Sequence, residues 1–129
     1  MTAAVRTTDG TVLVVDVDAE AVVGEGGELP DALRPKVDLP RVVATSAAGP
    51  TIVALIDRRP PLAISRDAGR TWSEAGGGLP PGFAVAVDDE NPDVILYAAR
   101  NRLYLSENGG VFWRSLAPEF PDIEAVAWL

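Results

Sequence analysis

The sequence predicts an all-β fold built from about three four-stranded antiparallel units in series. Short runs rich in Val, Ile, Leu and Ala alternate with turn residues along the chain, as expected of strands. The 12 Gly and 11 Pro among 129 residues interrupt the chain too often for long helices. The pattern also repeats with a period of about 40 residues, which is typical of proteins that stack one supersecondary unit. The chain length suits a single domain covering residues 1–129.

The repeat divides the chain into units at about 3–40, 41–81 and 82–121, with an extra strand at 123–129. In the second unit we expect strands near 41–46, 51–56, 61–65 and 71–74. In the third unit we expect them near 83–88, 94–99, 102–106 and 111–115. Consecutive apolar positions, as in Val94-Ile95-Leu96, indicate sheets that are covered on both faces. Stacked β-propeller blades provide such cover.

The first unit and the extra strand depart from the regular pattern. Residues 11–15 match the second strand of the later units. Residues 24–28 occupy the place of the hairpin motif that the two later units contain and that is described below. Residues 123–129 resemble the first strand of a further unit. Two pairings remain open for this strand: it joins a blade of a neighbouring chain, or it closes the first unit of its own chain.

Two hairpin motifs occupy equivalent places in the second and third units. The first has the pattern Ser-x-Asp-x-Gly-x-Thr-Trp, formed by Ser65, Asp67, Gly69, Thr71 and Trp72. The second is formed by Ser106, Asn108, Gly110 and Trp113, with Phe112 in place of the Thr. Short Ser, Asp and Asn side chains can bond backbone N–H groups within a turn, and Gly permits a positive φ. We therefore expect both motifs to be structural hairpins, each covered by its Trp.

These motifs resemble the Asp-box, or BNR-repeat, proteins, which include sialidases, some glucan hydrolases, sortilin-type receptors and photosystem II assembly factors. Residues 91–99, Asn-Pro-Asp-Val-Ile-Leu-Tyr-Ala-Ala, are similar to the second strand that precedes the box in several of these groups. The resemblance is clearest over residues 41–129. It implies a β-propeller whose boxes lie at the blade periphery, between the third and fourth strands, and maintain structure without taking part in catalysis.

A catalytic set is not expected. The resemblance to sialidases implies an arginine triad, a Tyr–Glu pair and an Asp acid, but the nearest string to their Arg-Ile-Pro motif is Arg58-Arg59-Pro60, in a loop. The only tyrosines, Tyr97 and Tyr104, lie inside strand runs, where packing explains them. Three blades also fall short of the four to eight that typically close a propeller around a central site. A sialidase-like or glycoside hydrolase-related protein is therefore the alternative to a non-catalytic one.

Composition excludes several other classes of function. The formal net charge of −8 disfavours nucleic acid and anionic membranes as partners. Without Cys or His the chain lacks the common ligands of zinc, copper and haem, so we expect no metal and no cofactor. The acidic run at residues 16–20 lacks the Gly and Glu of an EF-hand loop. With no Cys and no apolar leader at the N-terminus, we expect a cytoplasmic protein.

The candidate ligand-binding residues are four arginines in loops opposite the boxes. They are Arg58, Arg59, Arg100 and Arg102. Brought together, they would suit a carboxylate or another anionic group. The apolar faces of an open stack of three blades also call for a partner, and two copies completing a six-bladed ring is the simplest solution. The sequence therefore favours a homo-oligomeric, non-catalytic binding or scaffold module for an anionic ligand, a carbohydrate or a protein.

Overall fold

The computed structural model describes all 129 residues and contains twelve β-strands and no helix. In chain order the strands are β1 (Thr2–Thr7), β2 (Val12–Asp16), β3 (Ala21–Glu25), β4 (Val42–Ala48), β5 (Thr51–Ile56), β6 (Leu62–Ser65), β7 (Ser73–Ala75), β8 (Gly82–Val87), β9 (Ile95–Ala99), β10 (Arg102–Ser106), β11 (Arg114–Glu119) and β12 (Ile123–Trp128). The all-β prediction is confirmed. The fold offers no helix with the length and apolar character needed to cross a membrane.

The strands form three antiparallel four-stranded sheets, which we call blades. Blade 1 has the order β12-β1-β2-β3, blade 2 the order β4-β5-β6-β7, and blade 3 the order β8-β9-β10-β11. The predicted architecture of propeller-like blades is confirmed. Strand positions in blades 2 and 3 agree with the expected ones to within a few residues, except that β11 begins at Arg114. The preceding residues belong to the hairpin, because the N–H of Phe112 donates to Oδ1 of Asn108.

The place of β2 within blade 1 differs from the one that the repeat alignment predicts. Strand β2, expected as a second strand, is the third strand of its blade, because β12 occupies the innermost position beside β1. Residues 17–20 therefore form the turn between the third and fourth strands, and residues 24–28 lie at the end of β3 and beyond. The alignment of sequence repeats does not show this order, because the strand that pairs with β1 comes from the C-terminal end of the chain.

The C-terminal strand closes the first blade of its own chain. Ala3, Ala4 and Val5 of β1 lie opposite Trp128, Ala127 and Val126 of β12. The N–H of Leu129 extends the pairing by donating to the carbonyl of Thr2 over 2.9 Å. Of the two pairings that the sequence leaves open, the structure has the intramolecular one.

Blade 3 lies between the other two blades and holds them together. One apolar cluster joins it to blade 1 and includes Val5, Val15 and Leu96, while a second joins it to blade 2 and includes Leu55 and Tyr97. All five residues of β9 are buried. A strand with apolar side chains on both faces is therefore covered on both faces, as the run Val94-Ile95-Leu96 predicts.

Two hydrogen bonds join the first strands of neighbouring blades. The indole N–H of Trp128 in β12 donates to the carbonyl of Ala86 in β8 over 3.0 Å. The N–H of Val87 in β8 donates to Oγ of Ser46 in β4 over 2.9 Å. The strands β12, β8 and β4, which we call the inner strands, therefore lie side by side in that order.

The outward face of blade 2 is covered by the chain itself. Residues 26–41, which we call the linker, connect the outer strand of blade 1 to the inner strand of blade 2. Val37 and Leu39 of the linker pack with Trp72 against buried residues of this face. The buried residues are Ala54, Ile56 and Ala63. One sheet face that the sequence left without cover is therefore capped within the same chain.

Tyr97 fixes the beginning of β8. Its side chain is fully buried and its hydroxyl donates to the carbonyl of Pro80. A Cβ atom added at Gly82 would lie 2.5 Å from this ring. Gly82 is therefore required by the close approach of the tyrosine ring to the backbone.

We expect Gly82→Ala to lower the free energy of unfolding by about 1–3 kcal/mol, because the buried ring cannot move away without disturbing the core between blades 2 and 3. Gly77→Ala is the matched control, since nothing lies within 4 Å of its added Cβ. That control should stay within about 0.5 kcal/mol of wild type. Urea denaturation measures both, and equal effects of the two substitutions would contradict the role of Tyr97.

Candidate functional site

The inner strands line a groove between the two end blades, and the linker lies along it. We call the end where the inner strands begin the loop end, because the β5–β6 and β9–β10 loops lie there. The opposite end is the hairpin end. A cavity of about 470 Å³ lies at the loop end and another of about 500 Å³ at the hairpin end. Linker residues line both cavities.

The loop-end cavity combines exposed apolar side chains with basic ones. Phe83 of β8 is 47% exposed and Val43 of β4 is 50% exposed, although both lie on inner strands. Arg34 and Lys36 of the linker also line this cavity, and neither forms an ion pair. The one carboxylate in the lining, Glu124, is paired with Arg6. The cavity therefore offers an apolar surface beside two unpaired cations.

Two of the four predicted arginines border this cavity. Arg58 and Arg59 line a smaller adjoining cavity of about 160 Å³ in the β5–β6 loop. Val43 lines both cavities, so they meet at its side chain. Arg58 lies 3.8 Å from Glu74, whereas Arg59 is exposed and makes no ion pair or side-chain hydrogen bond. Arg59 is therefore the one arginine of the set that makes no ion pair.

The other two predicted arginines are paired on blade 3 and line neither cavity. Arg100 lies 3.0 Å from Asp122, and the hydrogen bond from this carboxylate raises the pKa of the guanidinium. Arg102 begins β10, where it pairs with Glu119 at 2.6 Å and donates to the carbonyl of Leu116. The structure thus does not join all four arginines in one cavity. Their carboxylate partners stand far along the chain, where repeat alignment alone does not find them.

The basic residues that the sequence did not single out are Arg34 and Lys36. They lie in a proline-containing segment that matches no repeat strand, so nothing in the repeat pattern assigns them to a surface. Their position depends on the path of the linker, which runs from the hairpin end of the groove to the loop end before β4 begins. Exposed Phe83 was missed for a similar reason, because an aromatic residue in a strand run is ordinarily taken as core.

The hairpin end of the groove is acidic. Asp88, Asp89 and Glu90 follow β8, and Asp31 of the linker lies across from them in the same cavity. The two ends of one groove therefore carry opposite charge, which favours anionic groups at the loop end only.

The tyrosines contribute to neither cavity, since the rings of Tyr97 and Tyr104 pack edge to face at 6.2 Å within the core.

The first hairpin motif has a closed network of hydrogen bonds. Oγ of Ser65 accepts the N–H of Gly69 at 2.8 Å and donates to Oδ1 of Asp67. That carboxylate also accepts the N–H of Thr71 at 2.8 Å and its hydroxyl at 2.6 Å. These donors, above all the Thr71 hydroxyl, lower the pKa of Asp67 to about 2. Trp72 covers the turn and packs on blade 2, without a hydrogen bond from its indole.

The second hairpin motif repeats the network with an amide. Oγ of Ser106 accepts the N–H of Gly110 at 2.8 Å and donates to Oδ1 of Asn108. That oxygen accepts the N–H of Phe112 at 3.0 Å, and the indole of Trp113 donates to the carbonyl of Gly110. Both Ser hydroxyls are fully buried. The Ser, Asp and Asn side chains of both motifs are hydrogen-bonded within the turns, which fits a structural role.

Two carboxyl groups have a clearly shifted pKa, and both shifts are downward. Asp67 is described above, and the hydroxyl of Thr7 and the N–H of Thr11 lower the pKa of Asp9. A general acid near neutral pH needs a raised pKa instead. These two groups are therefore suited to holding turns in place.

The lowered pKa of Asp67 gives a pH dependence of stability. The folded value of about 2 lies below the ordinary 3.8, so the stabilisation is complete above pH 3.8 and is lost as pH falls toward 2. Asp67→Asn keeps an acceptor for Thr71, as Asn108 does naturally, but cannot titrate. We expect the difference in Tm between wild type and Asp67→Asn to shrink between pH 5 and pH 2. Asp89→Asn, an exposed turn carboxylate, should keep the wild-type profile, and a constant Tm difference for Asp67→Asn would contradict the prediction.

Comparison with known proteins gives a likeness of fold. No protein-family model matches the chain, and no curated protein matches its sequence. A solved structure, that of the GH74 enzyme of Niastella koreensis, is similar with a TM-score of 0.53 and 22% sequence identity. The similarity covers 92% of this chain but only 18% of the enzyme. The chain is therefore similar in architecture to a small part of a much larger enzyme, and at this identity the likeness concerns the fold alone.

Proposed function

We propose that the protein is a non-catalytic binding module that takes a carboxylate-bearing ligand at the loop end of its groove. The observation that carries the proposal is the loop-end cavity, where exposed Phe83 and Val43 lie beside Arg34 and Lys36 and adjoin unpaired Arg59. Apolar contact with charge-assisted hydrogen bonds would hold a ligand with a ring and a carboxylate. Acidic sugars have both features.

The alternative is a carbohydrate-active protein related to the sialidases or glycoside hydrolases. Two observations favour it: the likeness of fold to the GH74 enzyme, and hairpin motifs that resemble Asp boxes. We rank it second because the loop-end cavity holds one carboxylate, Glu124, which is paired with Arg6, whereas glycoside hydrolysis ordinarily uses two. Product release from a fluorogenic sialoside or from a glucan would reverse this order.

For the binding proposal we expect Arg59→Ala to weaken binding of an oligogalacturonate by about tenfold, because one charge-assisted hydrogen bond is lost. The matched control is Arg70→Ala, an exposed arginine without an ion pair in the first hairpin, at the opposite end of blade 2. Isothermal titration measures both variants, with the methyl-esterified oligosaccharide as an uncharged probe. Equal affinity of wild type and Arg59→Ala, or equal losses in both variants, would refute the site.

We also propose that two copies complete a six-bladed ring. The observation in favour is that blade 3 packs on both faces, whereas blades 1 and 2 each pack on it with one face. In such a ring the outward face of blade 1 in one copy would meet the outward face of blade 2 in the other. Each outward face would then be covered in the way that blade 3 already covers the inward ones.

Light scattering tests the ring directly: we expect twice the mass of one chain at high protein concentration. Val14 alternates with the inward-facing Leu13 and Val15, so its side chain lies on the outward face of blade 1. Val14→Glu should return the protein to the mass of one chain. Val22→Glu, on the other face of the same blade, is the control. A wild-type mass of one chain at every concentration would refute the ring.

A further inference from the structure

The linker occupies the surface that a second copy would need. Val37 and Leu39 contact the outward face of blade 2, the face that would meet blade 1 of the other copy in a six-bladed ring. Both the linker and a neighbouring blade cannot occupy this face at once. The linker must therefore leave blade 2 before the ring can close.

The attachment of the linker is slight. Between residues 27 and 40 its backbone makes no hydrogen bond to another backbone group. A single side-chain hydrogen bond holds it to blade 2, from the hydroxyl of Thr45 to the carbonyl of Pro35 over 2.8 Å. None of its charged residues from Glu28 to Asp38 forms an ion pair. Few contacts of this kind are typical of segments that open at low free-energy cost.

The face beneath the linker continues the packing already seen between blades. It is built from small and aliphatic residues, among them Ala54 and Ala63, which allow another sheet to approach closely. The centre of the outward face of blade 1 is also small, with Ala4, Val14 and Ala127 in one cross-strand row, and the charged residues Arg6 and Asp16 lie on either side of this row. Both outward faces therefore have small or aliphatic side chains at the centre of the blade, and both blades run from inner to outer strand in the same order as blade 3.

From these contacts we propose that the linker is an intramolecular cap that competes with a second copy of the chain for the outward face of blade 2. This inference rests on the proposed six-bladed ring and states how its assembly is regulated. The linker keeps the protein as a single chain until association displaces Val37 and Leu39. Because the same linker carries Arg34 and Lys36, its release also changes the loop-end cavity. Assembly and ligand binding are then coupled through one segment.

A reversible lock tests the cap. The natural chain has no Cys, so Pro35→Cys with Thr45→Cys introduces one possible disulfide at the position of the linker's hydrogen bond. We expect the oxidised variant to remain a single chain at concentrations where its reduced form dimerises in light scattering. Thr45→Cys alone is the control and should be insensitive to reductant. An oxidised variant that dimerises like its reduced form overturns the cap and leaves the ring itself standing.

The opposite change should promote association. Thr45→Val removes the hydrogen bond to the linker while keeping the shape of the sheet face. Two linkers must be released when two copies associate, so the variant avoids the loss of two such hydrogen bonds. We therefore expect the dissociation constant of the dimer to fall roughly tenfold. Val37→Asp with Leu39→Asp, checked for folding by circular dichroism, should act in the same direction. If these variants fold and associate no better than wild type, the cap is refuted, whereas the ring is judged by the mass of the wild-type protein.

Discussion

The fold depends on the pairing of β12 with β1, which joins the two ends of the chain in one blade. This pairing supplies blade 1 with its inner strand and places Ile123 and Val126 in the cluster shared with blade 3. It also positions Trp128, whose indole bonds β12 to β8. Without β12, blade 1 would lose its contact with the inner strand of blade 3. The groove depends on the same pairing, because β12 forms one of its walls.

The three blades are stabilised in different ways because of their order in space. Blade 3 is covered by neighbours on both faces, which is why all of β9 is buried. Blade 2 is covered by blade 3 on one face and by two linker side chains on the other. The linker therefore does what a fourth blade would do in a closed propeller, but with far fewer contacts. This difference in contact strength underlies the proposed competition between the linker and a second copy.

Charge in this protein is separated along the groove. The net charge is −8, yet the one carboxylate in the lining of the loop-end cavity, Glu124, is paired with Arg6, while Arg34 and Lys36 are unpaired there and Arg59 is unpaired in the adjoining cavity. The turn after β8 places Asp88 to Glu90 at the hairpin end. Local pairing, and not the total charge, thus makes the loop end favourable for an anion. The hairpin motifs contribute to blade geometry, and no buried side-chain polar atom lacks a hydrogen-bond partner.

Local patterns in the sequence were enough to determine the strands of blades 2 and 3 and both hairpin motifs. The alternation of apolar runs and turns is local, and Ser65 and Ser106 bond donors only four residues away. The position of Arg58 and Arg59 in a loop followed from the same repeat. By contrast, the inner strand of blade 1, the pairing of Arg100 and Arg102, and the place of Arg34 beside Phe83 depended on tertiary structure. Each of these joins segments that are separated by a turn or by the whole chain, and only packing in three dimensions brings such segments together.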